Sequence, residues 1–403
     1  MNLRRCALCQ GREFKLVVDL GFHPCADTFV FESQLQEGER TYPLRVYLCT
    51  SCGHCQLGHI VPKEVRYQDN DYSYDSSNSL VSITHFTDLA RDISRVLNLG
   101  PTDIVCDVGS NIGTLLEAFK GVAGCQVVGV DPSTNIAALA NARGINTINN
   151  FFDLEAVEKI LTFGRPSVVT ATNVLNHSED VVAFFIAVEK ILDPLGCIVF
   201  EMPYLLEMVK RSAFDTIYLE HINYFAITPL SRFLTQRGFG IERIEVSDYM
   251  CGTLRIYVRP NAKHESVVEQ YIEIEREYNL FTTGVYDAFM ERIKGLKLRL
   301  NKQLYDIKNS GGKIIGIGAA TKGNTLLNYC NIDADLLEYI SDTSVLKVGK
   351  RTPGSHIPIV ADEDIMPDIT HGLILPWNIA EHLMSKLSHL GINFIVPMLE
   401  SKC

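Results

Sequence analysis

Apolar residues in this chain fall into short blocks whose period switches between two and about 3.6, which predicts strands and helices in alternation over most of its length. Residues 82–99, SITHFTDLARDISRVLNL, repeat apolar positions at helical spacing, and Gly100-Pro101 predicts the helix end. Residues 103–119, DIVCDVGSNIGTLLEAF, read as an apolar strand, a glycine turn over 109–113 and a helix opening near Thr114. CQVVGVDPS is a second strand ending in Asp131, and 145–153 continue the series. Residues 167–180, SVVTATNVLNHSED, form a fourth strand whose carboxyl end delivers Asn173, Asn176 and His177. A helix over 181–191 leads through Pro194-Leu-Gly196 into the strand CIVFEMPY. Strands and helices in this succession predict a doubly wound parallel sheet.

Past residue 226 the pattern gives a helix and two strands ending near Arg259. A helical stretch over 265–309 follows, with Val268, Tyr271, Ile274 and Tyr278 at spacings of three and four. A second strand, glycine turn and helix, GGKIIGIGAATKGNTLLNYC, occupies 311–330, with Lys322 at the helix start, and LLEYISDTS ends another strand in Asp342. Pro353, Gly354 and Pro358 restrict the loop RTPGSHIPI over 351–359, and the only tryptophan, Trp377, closes a further strand. The first seventy residues differ: Cys6-Ala-Leu-Cys9 and Cys49-Thr-Ser-Cys52 enclose a strand-rich insert, and the polar loop NDYSYDSSNSL follows over 70–80. The predicted divisions are therefore 1–70, 71–260, 261–310 and 311–403.

Composition narrows the class. With 403 residues, 46% of them hydrophobic, the chain can bury the cores of two or three domains. No apolar run approaches the ~18 residues of a membrane span, and the opening residues lack a signal-peptide core, which predicts a soluble, cytoplasmic protein without a membrane partner. In a reducing compartment, twelve cysteines predict thiols and a metal in place of disulfides. A net charge of -11 excludes a nucleic-acid backbone as partner, so any anionic ligand must be held locally.

Four places carry chemistry. The paired C-x2-C turns present Cys6, Cys9, Cys49 and Cys52 as four thiolates for one tetrahedral, structural zinc, with His54 and Cys55 as substitutes for one ligand and Cys25 a bystander. The turn from Gly109 to Gly113 lets backbone approach a ligand, and Asp131, 22 residues after Gly109, can accept both hydroxyls of an adenosine ribose. Gly109-Ser-Asn-Ile-Gly113 lacks the central glycine that a dinucleotide needs beside its pyrophosphate, so the phosphate-free S-adenosylmethionine fits better. FDTIYLEHINYF, over 214–225, sets Tyr218, Glu220 and His221 within four residues: a phenol, a carboxylate and an imidazole able to reach one small substrate. In the last unit, Lys322 with exposed amides suits a diphosphate.

Together these motifs resemble the nucleotide-sugar C-methyltransferases of branched deoxysugar biosynthesis. The resemblance rests on the cysteine knuckles, Tyr-x-Tyr-x-Ser-Ser, the glycine turn, the asparagine-to-histidine strand end, Tyr-x-Glu-His, GAAxKGNTLLNY and TPGxHIPI, and covers essentially the whole chain. It implies an α/β fold: a class I Rossmann-like methyltransferase domain between a small zinc-binding domain and a second Rossmann-like domain. It implies methyl transfer from S-adenosylmethionine to C3 of a 4-keto-6-deoxy sugar linked to dTDP or GDP. On this resemblance His221 is the base, Tyr218 and Glu220 serve the C4 oxygen, and Tyr72 and His177 hold the sugar or its oxyanion. Cofactor contacts are expected from Asp107, Gly109, Asn111, Gly113, Asp131 and Asn173, and substrate contacts from Lys322, Asn324, Thr352 and His356. Three departures stand out: Ile112 replaces a usual aspartate, Leu219 a frequent histidine, and residues 343–349 an Asn-Pro-x-Lys-Gln-Gly run.

Other readings stay open from the residues alone. A sugar or small-metabolite O- or N-methyltransferase would use His221 on a hydroxyl, a dehydrogenase would bind a nicotinamide, and a non-catalytic zinc module would turn over nothing. The sequence carries no signal of oligomeric state.

Overall fold

A computed structural model describes residues 5–68 and 72–398. The expected division at 70/71 and the expected loop start at Asn70 lie outside the described residues.

The chain opens with β1 (Phe14–His23), β2 (Tyr42–Cys49), β3 (Cys55–Leu57) and the short helix α1 (Lys63–Tyr67). The central unit runs through α2 (Leu80–Leu97), β4 (Ile104–Val108), α3 (Thr114–Ala123), β5 (Gln126–Asp131), α4 (Thr134–Ala142), β6 (Thr147–Asn149), α5 (Leu154–Leu161), β7 (Val168–Thr172), α6 (Val181–Ile191) and β8 (Cys197–Pro203). After α7 (Leu205–Lys210), β9 (Asn223–Tyr224) and α8 (Ile227–Gln236), the hairpin β10 (Phe239–Ser247) and β11 (Thr253–Pro260) leads to α9 (Ser266–Glu277) and α10 (Thr283–Asn309). The last unit holds β12 (Ile314–Ile317), α11 (Thr321–Cys330), β13 (Ile340–Asp342), β14 (Ile359–Ala361), β15 (His371–Ile374), α12 (Ala380–Lys386) and β16 (Asn393–Ile395).

Three sheets result. The central one has the order β10-β11-β8-β7-β4-β5-β6, in which β11 alone runs opposite to the other strands, and the last has the all-parallel order β14-β13-β12-β15-β16. Near-continuous apolar runs in β7 and β8 fit strands covered on both faces. Phe86, Leu89 and Ile93 of α2 pack with Leu115, Leu116 and Phe119 of α3, each large side chain contributing about 1.5–3 kcal/mol. Asn98, at φ 54, ends α2 in the left-handed conformation, two residues before the glycine expected to do so. The helical stretch over 265–309 is a pair of helices, and Glu275 on α9 accepts hydrogen bonds from the Ile227 and Thr228 amides, satisfying the start of α8.

The N-terminal sheet is not confined to the N-terminus. Its order is β1-β2-β3-β9, all antiparallel, with Cys55 opposite Tyr224 and Gln56 opposite Asn223. The fourth strand therefore comes from the 214–225 stretch, so the division into 1–70 and 71–260 is crossed by main-chain pairing. Among the described residues, no helix is long and apolar enough to cross a membrane.

Candidate active site

The cysteine knuckles close on one point. Sulfurs of Cys6, Cys9, Cys49 and Cys52 all lie within 4.8 Å of one another, with Cys6 to Cys52 and Cys9 to Cys49 both 3.6 Å. Zinc–sulfur bonds of about 2.3 Å require tetrahedral edges near 3.8 Å, so the four thiols are gathered closely enough for one zinc ion to be held by all of them. His54 and Cys55 point elsewhere: His54 Nε2 meets Asn223 Oδ1 at 3.0 Å, and Cys55 Sγ meets the Tyr286 hydroxyl at 3.3 Å.

At the carboxyl ends of the central strands, β4 runs into a turn that only glycine tolerates at its first residue. Gly109 has φ +67, and a Cβ there would stand 2.4 Å from Val174 Cγ2. Asp131 Oδ2 accepts from the Asn111 amide at 3.0 Å and its Oδ1 from the Ser133 amide at 2.9 Å. Burial nevertheless pushes this carboxyl up to about 6. Asp107, on β4, is pushed up to about 7 by burial, with the Asp131 charge adding, although Thr170 Oγ1 donates to it at 2.7 Å. Asn111 also fastens the tyrosine loop, accepting from the Ser76 amide at 2.9 Å and donating to the Tyr74 carbonyl at 2.9 Å. Asp107, Gly109, Asn111, Asp131 and Asn173 all line one cavity of about 1190 Å³. Gly113, at φ +83 against Ile145, shapes the start of α3 behind that wall, and Ile112 is buried.

Tyr218, Glu220 and His221 enter the same cavity from the segment between the helical turn at 214–216 and β9. His221 Nδ1 donates to the Thr216 carbonyl at 2.8 Å, so Nε2 carries the lone pair, and the Tyr218 hydroxyl caps it at 2.5 Å. Burial pushes His221 down to about 3 and leaves the imidazole neutral. Glu220 is pushed up to about 7 by burial, against the pull of the Asp27 amide, which donates to its Oε1 at 3.0 Å. His177 stands edge to face with His221, ring centroids 4.7 Å apart, and Tyr72 lines the wall beside them. Leu219, facing away, is fully buried.

Asp27 is a wall residue that no motif marked. Its Oδ1 accepts from Ser73 Oγ at 2.8 Å and Thr321 Oγ1 at 2.7 Å, while Oδ2 has no partner among the described residues. It thereby joins the N-terminal, central and last units in one contact set. The run GFHPCADTF held a signal, an acid amid apolar neighbours, but its partners lie up to 294 residues away.

The last unit closes the cavity. Lys322 Nζ sits 3.4 Å from Asp215 Oδ2 and 4.4 Å above the Trp377 ring, whose Nε1 donates to the same carboxylate oxygen at 2.7 Å. Lys347, inside the altered 343–349 run, donates to the Ala319 carbonyl at 2.8 Å, and both lysines line the cavity. Three expected substrate contacts are not on that wall. Asn324 is buried and donates to the Ala26 carbonyl at 2.7 Å, Thr352 bonds within its own loop to Ser355 and Ile357, and His356 pairs with Glu39 at 3.0 Å. Asn324 and His356 thus hold the first and last units together, while Thr352 braces its own loop.

A glycine turn with its strand-end acid, joined to a four-thiol knuckle, defines an S-adenosylmethionine-dependent methyltransferase with a structural zinc-binding domain. Residues 6–67 match the family model of a zinc binding domain, 83–244 that of a methyltransferase domain and 248–398 that of a C-methyltransferase C-terminal domain. The C-methyltransferase NovU of Streptomyces niveus is 31% identical over 407 aligned positions, which cover 98% of this chain and 96% of that protein. The chain belongs to this C-methyltransferase family. The structure of magnesium protoporphyrin IX methyltransferase from Synechocystis PCC 6803 with bound SAM aligns with 45% of this chain and 81% of its own at 16% identity and a TM-score of 0.33. An S-adenosylmethionine-dependent methyltransferase from Clostridium acetobutylicum aligns over 45% and 92% at 14% identity and a TM-score of 0.36. Likeness of that degree carries no inference about the reaction.

Proposed function

We propose that the enzyme methylates C3 of a 4-keto-6-deoxy sugar carried on a nucleoside diphosphate, through an enolate. The observation that supports this reading is the convergence in one cavity of a neutral imidazole whose Nε2 lone pair faces the Tyr218 hydroxyl, the cofactor turn, and two lysines from a second Rossmann-like unit. S-adenosylmethionine, held by Gly109, Asn111 and Asp131, supplies an electrophilic methyl group. A C4 ketone acidifies the hydrogen on the neighbouring carbon. Once the Tyr218 hydroxyl turns from His221 Nε2 to the C4 oxygen, Nε2 removes that hydrogen, the electron pair moves onto the C4 oxygen, and the imidazolium forms beside the enolate that offsets it. Tyr218, Glu220 and His177 are the groups available to that oxygen, and Tyr72 orients the ring. Lys322 and Lys347 offer the charge for the diphosphate.

Incubating the protein with S-adenosylmethionine and a panel of 4-keto-6-deoxy nucleotide sugars in heavy water tests this. The expected outcome is a product heavier by one methylene, and exchange of the C3 hydrogen that falls by about 10²–10⁴ in His221→Asn. The same ketone acidifies C5, so exchange confined to C5 would keep the enolate and move the methylated carbon. Exchange that survives the substitution removes His221 as the base.

A further inference from the structure

The short helix α1 ends in Arg66 and Tyr67, which belong to none of the sequence motifs, and both reach the cavity wall. Tyr67 Oη lies 2.6 Å from His177 Nδ1. Arg66 Nη1 donates to that hydroxyl oxygen at 3.4 Å and to the His177 carbonyl at 3.2 Å, and its Nη2 pairs with Glu179 Oε1 at 2.7 Å. A guanidinium can only donate, so the phenol oxygen is an acceptor toward Arg66 and its one hydrogen is left for an acceptor of its own. Among the described residues, His177 Nδ1 is the acceptor within reach. Nδ1 then holds the lone pair of a neutral ring, and Nε2 holds the hydrogen. Burial, His221 and Arg66 all push His177 well down, which keeps the ring neutral with a single hydrogen to place.

His221 is fixed in the opposite sense, because the Thr216 carbonyl at its Nδ1 can only accept. Two touching imidazoles thus differ in tautomer, one by a phenol and one by a carbonyl. We infer that Tyr67, oriented by Arg66, is a positioning residue that fixes His177 as a hydrogen-bond donor at Nε2, so that the pair presents to the keto sugar one donor and, once the Tyr218 hydroxyl turns away from His221 Nε2, one acceptor. The role assigned to the donor rests on the proposed enolate: a lone pair turned toward the C4 oxygen would repel the charge that develops there, and a hydrogen stabilises it.

The test begins on the native protein without substrate. Nitrogen-15 labelling of the histidine rings, with the two signals assigned by their loss in His177→Asn and His221→Asn, reports which nitrogen carries hydrogen. The expected pattern is hydrogen on Nε2 of His177 and on Nδ1 of His221, with Tyr67→Phe shifting His177 alone toward a mixture. Hydrogen on Nδ1 of His177 in the native protein, or a pattern that Tyr67→Phe leaves unchanged, overturns the proposal. In turnover, Tyr67→Phe should lower kcat by about 10- to 100-fold while KM stays within about threefold, as for a lost oxyanion donor. An unchanged kcat overturns the positioning role. Failure of the enolate reading would look different: no solvent exchange beside the ketone in the native enzyme, with both tautomers as inferred.

Discussion

The central and last units carry the same local device. In each, a carboxylate at the end of the second strand receives two amides, one from the glycine turn and one from the residue two positions on. Asp131 takes the Asn111 amide at 3.0 Å and the Ser133 amide at 2.9 Å; Asp342 takes Ala319 at 2.6 Å and Ser344 at 2.7 Å. The side chains loaded onto the device differ. Cavity-lining residues from the first turn and its acid, 107–115 and 130–133, include no cation, whereas the second unit contributes Lys322, Lys347 and Lys386. One backbone solution has thus been given two sets of side chains, which suit a phosphate-free cofactor and, in our proposal, a diphosphate.

Replacing Lys322 by alanine should break this contrast most severely. It leaves Asp215, a fully buried carboxylate, without its cation, at a cost of about 3–5 kcal/mol in unfolding free energy, and it removes nucleotide affinity together with stability. Denaturant unfolding, and calorimetric titration with a nucleoside diphosphate, read the two effects. Next in size, Asp131→Ala should weaken S-adenosylmethionine binding by about 1.5–3 kcal/mol, roughly 10- to 150-fold, and spare nucleotide binding. Asp342→Ala should do the reverse, and cross-effects of equal size would mean that the two turns do not serve separate ligands. The smallest effect is that of pH. Ribose hydroxyls are donors, so they need Asp131 ionised, and its carboxyl protonates as pH falls through about 6. Cofactor affinity should be full above that value and weaken by at most about tenfold per pH unit below it, a slope that Asp131→Asn abolishes.

Much of this was legible because it is local. Cys6 with Cys9, Cys49 with Cys52, the 109–113 turn, and Tyr218 with His221 are each set by spacings of a few residues, and the fold follows from strand and helix periods. What was not legible depends on distant closure. Asp27 meets Glu220 across 193 positions, and Tyr67 meets His177 across 110; neither has a period or a neighbour that announces its partner. Thr352 and His356 show the converse. Their loop is distinctive enough to mark a family, yet its polar groups stitch backbone and the Glu39 side chain and do not line the cavity.

The pairing of β3 with β9 has a consequence for any attempt to treat this protein as a set of interchangeable modules. Exchanging the zinc-bearing head with that of a relative at the obvious junction would import three strands and leave behind the fourth, whose residues Asn223 and Tyr224 lie just past His221. A transplant that respects the hydrogen bonds must carry 214–225 along with the head, and with it the groups proposed to move the proton. Inheritance of the metal-binding head and inheritance of the reaction's chemistry are in this architecture a single event.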